Sequence, residues 1–177
     1  DSAIRFVPPE ERFYAGGPST VRGFGRNELG PVVYVADSLH VDPVSGELTP
    51  VNLRTSPAGS YAVVLANAEV RFPSPVFPSR LRLAAFVDMG RLWDQGETGL
   101  VSAGFRVTPG VGLRFITPLG PLRVDVGYND YPRLSGPLYV TVPATAVAPG
   151  RLDLKPGRYG GAARGRLQFH ISVGQAF

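Results

Sequence analysis

Few residues of this chain could do chemistry. Histidine occurs twice, as His40 and His170, far apart in sequence, and cysteine is absent. That removes thiol nucleophiles, disulfides and the usual cysteine-based zinc patterns. No G-x-S-x-G elbow, phosphate-binding P-loop or H-E-x-x-H pair occurs. Glu69 and Asp88 could be read as paired acid–base carboxylates, but no third polar group or substrate pocket accompanies them. The sequence thus points to no catalytic residue, no metal and no cofactor, and to a protein that is not an enzyme. Basic residues number 18 against 14 acidic ones, for a net charge of +4, and all but Lys155 are arginine. The arginines are scattered rather than clustered, which argues against a nucleic-acid partner.

The elements that position these residues follow from composition and spacing. The chain has 177 residues, 44% hydrophobic and 18% charged, which excludes disorder and suits one domain. It carries 22 glycines and 18 prolines, and the longest stretch free of both is only the 13 residues from Ser60 to Phe72. A membrane-spanning helix needs about 20 apolar residues, and a helical bundle cannot tolerate such punctuation. Short strands joined by turns remain.

Five segments alternate apolar and polar residues with a period of two. In Tyr61–Pro73, Ala62, Val64, Ala66, Ala68, Val70 and Phe72 oppose Asn67, Glu69 and Arg71. In Ser79–Trp93, Leu81, Leu83, Ala85, Val87 and Met89 oppose Arg80, Arg82, Asp88 and Gly90. In Gly110–Thr117, Val111, Leu113 and Phe115 oppose Arg114; in Pro121–Tyr128, Leu122, Val124, Val126 and Tyr128 oppose Arg123 and Asp125. In Gly165–Phe177, Leu167, Phe169, Ile171, Val173 and Phe177 oppose Arg166, Gln168, His170 and Ser172. Alternation alone fits either a soluble sandwich or a membrane barrel whose apolar face meets lipid. Strand length, connections that alternate short and long, and opposite charges at mid-strand favour the barrel. The short links are 74–78 and 118–120; the long excursions are 1–60, 94–109 and 132–164. No secretory leader is visible, and Asp1 at the start suggests a mature, trimmed or partial chain.

Three stretches carry more than composition: RFYAGGPSTVRGFG (Arg12–Gly25), AAFVDMGRLWD (Ala84–Asp94), and the pair PGVGLRFITPLGPLRVDVGY (Pro109–Tyr128) and LQFHISVGQAF (Leu167–Phe177). In this order they resemble the C-terminal half of the BamA/TamA superfamily of outer-membrane assembly barrels, the bacterial surface antigen family. The resemblance covers nearly the whole chain from Arg12. It implies an all-β fold: an antiparallel transmembrane β-barrel segment of about five meander strands, matching strands twelve to sixteen of a sixteen-strand barrel. Five strands cannot close even an eight-strand barrel, so the chain is expected to form an open sheet and to be a fragment lacking upstream strands and periplasmic domains. Residues 1–60 would be an outer loop folded into the lumen and residues 61–177 the strands.

The resemblance also assigns roles. The VRGF tetrad is Val21, Arg22, Gly23 and Phe24, and its arginine would be latched by Glu69 and Asp88; the strand period separately puts both acids on the polar face. Arg114, Arg123, Asp125 and His170 would line the lumen. Phe169, Ile171, Val173 and the terminal Phe177 fit the C-terminal signal that assembly machinery recognises in outer-membrane proteins. The implied function is insertion or translocation of nascent outer-membrane proteins in a Gram-negative outer membrane, with the lipid bilayer, nascent barrels and accessory assembly proteins as partners. The alternatives are a two-partner secretion transporter, a simple structural or pore barrel, and a soluble β-sandwich binding module.

Overall fold

The computed structural model describes residues 7–44, 46, 48–93, 104–118, 120–144, 150–160 and 165–174. Its strands are β1 (Val32–Ala36), β2 (Ser38–Val41), β3 (Leu48–Val51), β4 (Arg54–Pro57), β5 (Ala62–Pro73), β6 (Leu81–Trp93), β7 (Arg106–Thr117), β8 (Gly120–Asn129), β9 (Gly136–Val142), β10 (Arg151–Tyr159) and β11 (Arg166–Val173). The fold is all-β. The main sheet has the order β11-β8-β7-β6-β5, an antiparallel meander of the five alternating segments. It is open, with β5 and β11 as its two edges.

The faces divide as the period of two requires. Val70, Val87, Val111, Phe169 and Ile171 lie exposed on one face, while Asp88, Thr108, Arg114, Asp125 and Asn129 are buried on the other. A water-soluble sheet would bury the first set and wet the second. The inversion is the pattern of a barrel wall, with apolar side chains outward and polar ones inward.

Strand ends depart from the alternation reading in one informative place. Pro109 was expected to mark a boundary, with the third strand beginning at Gly110. The strand instead begins at Arg106, and Pro109 pairs with Val87 inside it. A proline cannot donate to a ladder, yet here it has no ladder bond to lose. The Val107 N–H, which points to the same side two residues earlier, goes to the Tyr131 hydroxyl at 2.9 Å. Pairing with β8 starts only at Gly110. Extending the strand adds Thr108 to the buried polar face.

Two of the long excursions, 1–60 and 132–164, contain strands beyond the five read from the alternation: β1, β4, β9 and β10 form a second sheet of order β10-β9-β1-β4, and β2 pairs with β3. Within it β1 and β9 run parallel, with Tyr34 opposite Leu138. Tyr34 anchors the joint: its ring is buried, its hydroxyl donates to the Leu134 carbonyl at 2.8 Å, and Tyr159 meets it edge-on at 5.1 Å. Gly136 leaves room for the Val32 carbonyl, which a side chain would strike. The excursion before β5 is thereby stitched to the one between β8 and β11.

Candidate functional site: a loop seated on the polar face

The segment before β1 folds back over the polar face. Gly16 and Gly17 take φ of 108° and 107°, conformations open to glycine, and the Gly16 N–H donates to the Thr20 hydroxyl at 2.8 Å. This turn brings Ala15, Val21, Phe24 and Leu29 into a small buried core, packed against Val63, Leu92 and Tyr131. Phe24 stacks on Tyr131 with ring centroids 6.3 Å apart. The apolar members of the tetrad therefore hold the loop's shape and leave Arg22 pointing at the sheet.

Arg22 is 3% exposed and meets both expected acids. Its backbone N–H and Nε donate to Asp88 Oδ2 at 2.9 and 2.7 Å, and Nη2 donates to Asp88 Oδ1 at 2.7 Å. Nη1 donates to Glu69 Oε2 at 2.5 Å. The planar guanidinium uses the fork that lysine lacks. Its flat face lies on the Phe86 ring, 3.4 Å from the centroid.

The network extends further than the pair of acids. Arg114 donates to Glu69 Oε2 at 2.9 Å and to Asp125 Oδ1 at 2.6 Å. Arg71 donates to the other Glu69 oxygen at 2.6 Å, and Arg123 pairs with Asp125. Asn67 donates to Asp88 Oδ1 at 2.8 Å and to the Thr20 carbonyl at 2.5 Å. Asp125 also lies 3.8 Å from Arg22. Three carboxylates thus hold four arginines, so each buried charge of this network has partners, as burial demands.

Register explains how the sheet receives the loop. Inward-facing residues form transverse rows. One row runs Glu69, Phe86, Gly110, Gly127, Gln168; the next runs Arg71, Ala84, Gly112, Asp125, His170. The glycines open a trough between carboxylates. A Cβ on Gly127 would stand 2.5 Å from the Arg22 carbonyl oxygen and 2.7 Å from the Gly23 nitrogen. A Cβ on Gly110 would strike the Phe86 ring, and one on Gly23 would strike Thr108, whose hydroxyl accepts the Gly23 N–H at 3.3 Å. The F-x-D-x-G of β6 is legible in these terms. Phe86 supports the guanidinium, Asp88 binds it, and Gly90 clears space for Val21 and Leu29.

The structure therefore brings Arg22, Glu69 and Asp88 together and places Val21, Gly23 and Phe24 around them. Phe169, Ile171 and Val173 lie exposed on the apolar face of β11, whereas Phe177 falls outside the described residues. Sequence reasoning missed Phe86 and Thr108. The parity of Phe86 with Asp88 was the available signal for the first; Thr108 was hidden by the proline boundary. Phe86→Leu is expected to keep the ion pairs but lose the stacked ring, a loss of about 0.5–2 kcal/mol. A lowered thermal midpoint with the loop still seated would show it.

The chain matches the Omp85 superfamily domain over residues 2–177. Among curated proteins it is 26% identical over 147 residues to the outer membrane protein assembly factor BamA of Neisseria meningitidis serogroup B, covering 69% of this chain and 17% of that protein. Among solved structures it is similar to BamA from Haemophilus ducreyi lacking POTRA domains 1-3, with a TM-score of 0.47, 21% identity, and coverage of 92% of this chain and 27% of that one. The chain spans less than a third of either relative. With its family model matched almost end to end, this chain belongs to the Omp85 superfamily.

Proposed function

We propose that the chain is the C-terminal section of an outer-membrane β-barrel that inserts or assembles other outer-membrane proteins, without enzymatic chemistry. The observation that carries this reading is the loop seated on the polar face by Arg22, Glu69 and Asp88. Family membership and the assembly-factor name of the Neisseria relative support it. The exposed apolar face would meet the lipid of a Gram-negative outer membrane, and the polar network would face the lumen. Nascent outer-membrane proteins would be the substrates, entering by strand addition at a gate between the first and last strands. A loop filling the polar face suits a gated assembly barrel better than a simple open pore.

Depleting the complete parent protein from its cell tests this reading. Loss of many unrelated β-barrels from the outer membrane supports it. Loss of one secreted substrate, with barrels at normal levels, overturns it in favour of a secretion transporter. A second prediction concerns Phe177. Deleting Phe177 from the parent is expected to lower its abundance in the outer membrane, while the molecules that do assemble keep the parental fold. Unchanged abundance on fractionation would leave Phe177 as a lipid anchor alone.

A further inference from the structure

His170 does something that lining the lumen does not require. It sits on β11, the edge strand, opposite Asp125 of β8. Its Nε2 is 3.0 Å from the Arg22 carbonyl oxygen. A carbonyl only accepts, so Nε2 must carry the proton and donate. The same Arg22–Gly23 unit is held by Glu69 of β5, Asp88 of β6, Thr108 of β7 and the close approach of Gly127 on β8. With His170 added, one dipeptide touches all five strands of the sheet. Two of the five contacts, those from β11 and β5, are made by edge strands, whose other side lacks a partner among the described residues.

We infer that His170 is a positioning residue that couples the seat of the Arg22 loop to the last strand of the sheet. The inference rests on the assembly-barrel reading for its consequence but not for its geometry. Coupling between two sites is reciprocal in free energy. Whatever seats the loop holds the inner face of β11 in place, and whatever draws β11 away loosens the loop. Side-chain charge does not transmit this link, because the acceptor is the Arg22 backbone. The link therefore depends on the loop being seated and not on the guanidinium as such.

The test uses the complete parent in membranes or detergent, with amide hydrogen exchange read over Val21–Phe24. His170→Leu is expected to raise exchange there about fivefold, the factor one ordinary intramolecular hydrogen bond contributes. His170→Gln, which keeps an N–H donor of similar reach, is expected to restore most of the protection. In an Arg22→Ala background, where the loop is already released, His170→Leu should add nothing, since residues acting through one contact are not additive. Unchanged exchange in a folded His170→Leu protein overturns the inference. So does a His170→Gln protein that behaves like the leucine variant, which would leave only packing. If depleting the parent leaves β-barrels at normal levels in the outer membrane, the functional reading fails while the exchange result still decides the coupling.

Discussion

Replacing Arg22 by alanine in the complete parent is expected to release the loop from the polar face and impair assembly while leaving the five strands formed. The side chain is almost fully buried and answers Asp88 through two of its nitrogens and Glu69 through a third. Removing it strands Asp88, which is 0% exposed, with Asn67 and the backbone N–H of residue 22 as its remaining donors. Breaking one partner of a buried pair costs about 3–5 kcal/mol, because the other charge stays unpaired. Glu69 softens the loss, since Arg71 and Arg114 still hold it. Arg22→Lys should recover only part of the effect: an ammonium cannot serve both acids and lie flat on Phe86. The strands survive because their ladders and outward face do not involve the loop. Assembly of a reporter barrel in vivo, with circular dichroism of the purified variant, checks both halves. A variant with full activity would show that the seat is dispensable.

Gly127→Val removes no charge and is expected to release the same loop by volume alone. The added carbon would stand 2.5 Å from the Arg22 carbonyl oxygen and 2.6 Å from its carbonyl carbon. Both are backbone atoms, so no side chain can swing aside. Overpacking of this kind costs about 1–3 kcal/mol where neighbours shift. Here the neighbour that shifts most readily is the loop, because β8 is laddered on both sides by β7 and β11. Valine itself suits a strand, so loss of the strand is not expected. Trypsin offers the readout: the peptide bond after Arg22, shielded in the parent, should become cleavable in the variant. Continued resistance would mean that the loop's backbone does not lie in the glycine trough.

These two substitutions separate what was legible in the sequence from what was not. The five membrane-type strands could be read because their alternation is local: Val87 and Asp88 declare opposite faces with no knowledge of their neighbours. Glu69 and Asp88 could be matched to Arg22 through the family's motifs. Arg114, Arg123 and Asp125 were placed on the inner face, but their merger with Glu69 into one network depends on register, which a single sequence does not disclose. Gly110 and Gly127 are likewise uninformative until pairing puts them in one row with Phe86. The second sheet was invisible for the same reason. The Tyr34 hydroxyl finds its acceptor at Leu134, 100 residues away, and short strands broken by proline and glycine look like loops until a distant partner is known.

Inside a complete barrel the loop of the VRGF tetrad is expected to be seated by Arg22 on Glu69 and Asp88, as it is here. An experimental structure of the full parent in a lipid environment tests it most directly, by one pair of distances. The Arg22 guanidinium is expected within about 4 Å of both carboxylates. A guanidinium well beyond that range from both would contradict it.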